Sequence, residues 1–210
     1  MAKTESTLKN MVLTLLVITC VAGASLGFMY ELTKGPIEAA KAAKQKAAIT
    51  EVVPDFNNNP GEEVYELTSK EGFILKFFPA KKDGELVGIA IETMTNKGFS
   101  GDIKIMLGIK PDGSIINYQV LEHKETPGLG TKMADWFKTD KGNQSIIAKH
   151  PKTNKLLVSK DGGEVDAITA ATISSRAFLD AVRVAYETYT ENQSNPTVTS
   201  NTSVEEGGTE

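Results

Sequence analysis

Between Asp166 and Ser175 the chain reads Asp-Ala-Ile-Thr-Ala-Ala-Thr-Ile-Ser-Ser, which sets the hydroxyls of Thr169, Thr172, Ser174 and Ser175 among small residues. From there Ile173, Ala177, Phe178, Ala181, Val182, Ala185 and Tyr189 recur at spacings of three and four, the period of an amphipathic helix. The spacing predicts a helix that begins close to Thr172. A helix start exposes backbone N–H groups without intrahelical acceptors and carries partial positive charge, so a phosphate group suits it. The small side chains leave room for a bulky group against the backbone. The same residues also read as an ordinary capped helix, since Thr and Ser are good caps.

A second candidate element is Glu125-Thr126-Pro127-Gly128-Leu129-Gly130, preceded by Leu121-Glu122-His123-Lys124 and placed directly after an expected strand. Proline and paired glycines permit a tight backbone that approaches a neighbour closely, which is useful against a flat ring. Leu129 is suited to covering an apolar ring face, and Thr126 to exchanging a hydrogen bond. Alone, this string is also a plain Pro-Gly connection. A third short element, Gly98-Phe99-Ser100-Gly101, precedes it in the chain.

Taken together, in this order, the three elements resemble the FMN-binding domain family of membrane electron-transport subunits. There, FMN is linked to a threonine of an Asp-x-x-(Ser/Thr)-Gly-Ala-Thr element through a phosphoester. The resemblance covers roughly residues 98–178 and implies that Thr172 is the flavinylated residue, with Asp166 and Thr169 as leading motif positions. It extends the cofactor-binding set to Ala170, Ala171, Ser174, Glu125, Thr126, Gly128 and Leu129. One departure is visible: Ala170 stands where the family has glycine, which matters if that position needs positive φ. The chain is most similar to the RnfG family, the flavin subunits of Rnf complexes, in which electrons pass between ferredoxin and NAD with ion movement. The related NqrC subunits of sodium-translocating NADH:quinone reductase are usually longer. The resemblance implies an electron relay, other subunits of a redox complex as partners, and a separate flavin transferase for maturation. Asp166 would be part of what that transferase recognises.

Composition narrows the alternatives. The formal net charge of -4 argues against nucleic acid as a partner. Cys20 is the only cysteine and there are two histidines, His123 and His150, so no iron–sulfur, zinc or c-type haem ligand set is present, and no metal is expected. No G-x-G-x-x-G follows a strand, so the chain has no nicotinamide fingerprint and is not expected to be a complete dehydrogenase. No catalytic residue is assigned to it. Trp136 and Phe137 read as core or rim aromatics. His123 reads as a surface histidine near the loop, with phosphate contact as the other option, and His150 as incidental. Lys124 and Lys132 read as solvent-facing.

Residues 11–29 carry no charge and are long enough to cross a bilayer as a helix, with Tyr30 at an interfacial position. Ala22-Gly23-Ala24 resembles a signal-peptide cleavage site, but the apolar run continues past it, which favours a retained anchor. Lys3 and Lys9 precede the run, while Lys34, Lys41, Lys44 and Lys46 follow it, so the positive-inside rule leans against export. An extracytoplasmic location rests on the resemblance, which implies a single-pass protein of the cytoplasmic (inner) membrane.

Beyond the anchor, residues 38–53 predict an Ala- and Lys-rich helix ending before Pro54. Residues 73–78 and 86–95 flank the turn signal Lys82-Asp83-Gly84, and residues 103–109 and 115–121 flank Pro111-Asp112-Gly113. A short helix over 131–137 and a strand over 156–159 lead to the Thr172 helix. The fold class read from this order is α+β: a single transmembrane helix, then one domain of antiparallel hairpins packed against helices. The expected organisation is a short cytoplasmic tail (1–10), an anchor (11–30), a helical stalk and turn (31–60), the FMN-binding domain (61–191) and a disordered tail (192–210). A membrane-tethered binding module without redox chemistry is the competing function. It gives no reason for the Thr172 element and the Glu125 loop to occur together.

Overall fold

The alternating apolar residues of the middle third form one antiparallel meander. A computed structural model describes residues 7–53 and 55–194. Its elements are helix α1 (Leu8–Val52), strands β1 (Tyr65–Thr68), β2 (Ile74–Lys82), β3 (Glu85–Thr95), β4 (Ile103–Ile109) and β5 (Ile115–His123), short helix α2 (Met133–Trp136) and helix α3 (Thr172–Ser194). The strands lie side by side in chain order, each pair antiparallel. The two expected hairpins are therefore the centre of a single sheet, joined through β3 and β4 with Ile91 opposite Leu107. The β2–β3 turn is Asp83-Gly84, both at positive φ (53° and 88°), the backbone that matches the twist of the flanking strands. Strand β1 escaped the sequence reading because four residues give too short an alternation to register.

The chain divides into two compact units, Met1–Lys44 and Gln45–Glu210. In the described part of the first, α1 is long and apolar enough to cross a membrane. The large apolar side chains of α1 up to Ile37, Leu13, Leu16, Ile18 and Phe28 among them, are exposed, which suits a lipid-facing surface. Two hydroxyls inside the run bond to the helix backbone: Thr19 donates to the carbonyls of Leu15 and Leu16 (both 3.0 Å), and Ser25 to that of Val21 (2.8 Å). The helix expected over 38–53 is the continuation of α1, which runs on through Pro36.

In the second unit the sheet is covered on both faces. Strand period places Phe77, Ile91, Ile105 and Leu107 on one face and Phe78, Ala80, Ala90 and Met106 on the other. The last turns of α1 (Ala48, Ile49, Val52) pack on the second face, where small residues let the backbone come close. A Cβ at Gly108 would lie 2.1 Å from the Val52 carbonyl oxygen. Helix α3 covers the first face with Ala177, Phe178, Ala181, Val182, Ala185 and Tyr189, as its periodicity predicts. Phe178 sits between Phe137, stacked at 4.5 Å, and Tyr118, edge-on at 4.7 Å. The Tyr118 hydroxyl donates to the Met133 carbonyl (2.6 Å) and so ties β5 to α2. Burial pushes its ionisation well above the ordinary tyrosine range.

Several expectations need correction. Residues 156–159 form no strand of a sheet, only an isolated parallel bridge between Val158 and Val165. Leu156 and Val158 are buried in alternation, but the local backbone bonds close a turn with Glu164 and Val165 instead of a ladder. Ile173 is 47% exposed although it shares the helix period, because at the start of α3 it borders open cavities instead of the core. Helix α3 also continues to Ser194, into the expected tail, and residues 195–210 lie outside the described part. His150 is not incidental: its Nδ1 accepts from the Lys152 N–H (3.1 Å) and its Nε2 donates to the Asp112 carbonyl (2.8 Å), clamping the β4–β5 turn.

Candidate functional site

Thr172 is the first residue of α3 and is half-buried. The approach to it is a tight turn locked by Ser175. The Ser175 hydroxyl accepts from the Ile168 N–H (2.9 Å) and donates to the Ala171 carbonyl (3.0 Å), while the Ala171 N–H donates to the Ile168 carbonyl (3.0 Å). To make this turn, Ala170 adopts φ +63°, the left-handed region that favours glycine. Among the described residues, no acceptor takes the N–H groups of Thr172, Ile173 or Ser174, and Thr172 Oγ1 has no hydrogen-bond partner. The helix start is thus an open donor array beside a free hydroxyl.

Asp166 anchors the base of this loop. Its carboxylate accepts from the Asn143 N–H (2.9 Å) and the Ser159 hydroxyl (3.1 Å), and its carbonyl accepts from Trp136 Nε1 (2.8 Å). Asn143 and Ser159 could not be read as partners from the sequence, since they reach Asp166 across 23 and 7 residues through the packing of the loops.

Glu125 joins the three sequence elements. It is 4% exposed, with Oε1 accepting from the Ser100 N–H (3.0 Å) and Oε2 from the Ser174 hydroxyl. Its own N–H donates to His123 Nδ1 (3.2 Å), which places His123 as a support of the loop. Two glycines make the convergence possible. A Cβ at Gly98 would lie 2.1 Å from the Gly101 carbonyl oxygen, and one at Gly130 would lie 2.6 Å from Ser174 Oγ. Ser174 therefore holds Glu125 across the loop instead of standing free at the helix start.

Two cavities meet at Thr172 and Ala170. One, of about 320 Å³, has apolar walls from Phe99, Leu129, Ile173, Ala170 and Ala171, with Thr126 and Glu125 as its other side chains of note. Phe99 is 66% exposed at its rim. The other, of about 450 Å³, has a mixed wall, with Gln144, Ser159, Lys160, Asp166 and Thr169 beside Trp136 and Ile168. A larger hollow of about 540 Å³ lies between β1 and the C-terminal end of α3, far along the helix from Thr172, so size alone does not mark the site.

Residues 98–187 match the FMN-binding domain family, a range that starts at Gly98 and takes in all three elements. The chain is 36% identical over 184 residues to the G subunit of the ion-translocating oxidoreductase complex of Haemophilus influenzae (strain PittEE), covering 79% of this chain and 87% of the relative. The corresponding G subunit of Erwinia tasmaniensis is 34% identical over 179 residues (81% and 84%), and that of Vibrio cholerae serotype O1 (strain M66-2) is 32% identical over 190 residues (86% and 90%). The chain belongs to the RnfG family, the G subunits of ion-translocating oxidoreductase complexes.

The residues of this RnfG family member fit an FMN. The apolar cavity suits a flat ring system, and the unpaired N–H groups at the α3 start suit its phosphate. Ala171 is buried against the core, whereas Thr126, Thr169 and Ala170 are exposed along the cavities. Gly128 supplies a left-handed turn (φ 75°) that carries Leu129 to the cavity. Lys124 is exposed, as expected, and Phe137 is core. The Glu125–Ser174 link and the Gly98 and Gly130 close approaches were not readable from sequence, because they are contacts between elements distant along the chain.

Proposed function

We propose that this chain is an electron-relay subunit of a membrane-bound, ion-translocating redox complex and carries FMN through a phosphoester to Thr172. The observation that carries the reading is the unpartnered Thr172 hydroxyl, at the open N-terminus of α3 where the two cavities meet. Bound flavin supplies reversible uptake of electrons, chemistry that no side chain of this protein offers. The chain's own residues hold it. Thr172 tethers the phosphate, the N–H groups of Thr172, Ile173 and Ser174 neutralise it, and Phe99, Leu129 and Ile173 exclude water from a ring seated beside them. A phosphate link leaves ring electronics to position and local charge.

Attachment needs help from outside. A threonine hydroxyl is a weak nucleophile without a base or metal. Asp166 and Glu125, the carboxylates at the site, have their oxygens engaged by Asn143, Ser159, Ser100 and Ser174. A separate flavin transferase therefore loads Thr172, recognising the Asp166 loop. Helix α1 anchors the protein by a single pass in the cytoplasmic membrane, with the flavin domain on the extracytoplasmic side and other subunits of the complex as donor and acceptor. Similarity to the RnfG family favours an Rnf-type ferredoxin:NAD complex over a sodium-translocating NADH:quinone reductase.

The test is in-gel flavin fluorescence of the denatured full-length chain, co-expressed with a flavin transferase, beside Thr172→Ala. A fluorescent wild-type band and a dark variant are expected. A dark wild-type band despite an active transferase overturns the reading in favour of a membrane-tethered binding module.

A further inference from the structure

The apolar cavity beside Thr172 has one ionisable lining residue, and it is Glu125. The carboxylate is almost fully buried, and each oxygen accepts one hydrogen bond, from the Ser100 N–H and the Ser174 hydroxyl. Among the described residues it makes no ion pair. The nearby cations Lys97, Arg176 and Arg183 line a different cavity beyond Ile173. There they are matched by Glu71, Asp161 and Asp180. A buried carboxylate without a counter-ion thus borders an apolar space, where charge acts at lower effective dielectric than in water.

We infer that Glu125, moderated by Ser174, sets the reduction potential of a flavin held in this cavity. The inference rests on the proposed attachment at Thr172. Each electron that enters the ring adds one negative charge, and the Glu125 carboxylate opposes that addition. The Ser174 hydroxyl withdraws part of the carboxylate's charge and so eases reduction. The two residues therefore act with opposite sign. Removing the charge makes the flavin easier to reduce, and removing the donor makes it harder.

The experiment is an anaerobic redox titration of the flavin absorbance in the full-length, detergent-solubilised, flavin-loaded chain. Wild type, Glu125→Gln and Ser174→Ala are compared, after denaturing-gel fluorescence has shown equal loading. Glu125→Gln keeps the side-chain shape and is expected to lower the oxidised-to-reduced ratio at a fixed poise about tenfold, ~59 mV upward for one electron. Ser174→Ala is expected to shift the potential the other way, by about threefold in the same ratio. Shifts of the same sign mean that the cavity has merely opened to water, and they overturn the inference, as does the absence of any shift. If Glu125→Gln does not load, Ser174→Ala decides alone: a downward shift supports the inference, and an unchanged or raised potential overturns it. A wild-type chain without covalent flavin refutes the Thr172 reading, a result visible on the gel before any titration.

Discussion

Replacing Ala170 by glycine should stabilise the domain, which is unusual for a change that removes atoms. Ala170 is held at φ +63°, a conformation that costs an L-residue about 1–2 kcal/mol. Its methyl group is exposed, so losing it forfeits little buried surface. Glycine adds freedom to the unfolded chain, which offsets about 0.4–1 kcal/mol of the relief. The net gain is about 0.5–1 kcal/mol, or about 1–4 °C in Tm for a domain of this size. Gly128→Ala provides the mirror image, since Gly128 sits at φ 75° and nothing lies within 4 Å of the added Cβ. It isolates the conformational penalty from any clash and should cost about as much as Ala170→Gly gains. The assay is thermal unfolding of the full-length chain by circular dichroism, in one detergent, for wild type and the two variants. A clear fall in Tm for Ala170→Gly would refute the reasoning, because it would mean that the methyl contributes more through contacts than the left-handed backbone costs.

Phe178→Ala removes the ring between Phe137 and Tyr118 and should cost about 3–5 kcal/mol, read as a lowered urea midpoint. An effect below ~1 kcal/mol would show that the core closes over the space. Gly108→Ala drives a Cβ into the Val52 carbonyl oxygen and should destabilise by about 1–3 kcal/mol, whereas Gly72→Ala, with no neighbour within 4 Å, should show only its backbone penalty. Stability should also fall at alkaline pH. Burial raises Tyr118 and pushes Tyr65 up to about 12, so the fold favours both neutral phenols. Their contribution is whole below the unfolded tyrosine value of about 10 and is lost as pH rises through the folded values. Urea midpoints at rising pH should decline above ~10, and the decline should flatten in Tyr118→Phe. An undiminished decline in that variant would assign the effect elsewhere.

The parts of this protein that were legible in its sequence are those set by local period and local chemistry. The α3 face, the two turns at Asp83-Gly84 and Asp112-Gly113, and the charge-free run of α1 each follow from residues that are close along the chain. The stretch at 156–159 shows the limit: buried alternation in Leu156 and Val158 looks like a strand, yet a strand needs a partner along its length, and here the pairing stops at the single bridge between Val158 and Val165. At the site, Thr172 and the Glu125 loop could be named from motif resemblance. Their contact through Ser174, the support from Ser100, and the space that Gly98 and Gly130 must leave all depend on how the elements pack. Ala170 shows both sides. Its departure from glycine was visible in sequence, but the positive φ that gives the departure a cost belongs to the folded turn.

The central claim is that FMN is esterified to one hydroxyl among the four crowded at the start of α3. Fragmentation mass spectrometry of the proteolytic peptide spanning residues 161–176, from chain co-expressed with a flavin transferase, tests it directly. The account predicts a gain of one FMN less one water, located on Thr172. Modification on Thr169, Ser174 or Ser175, or an unmodified peptide from a chain exposed to active transferase, would contradict it.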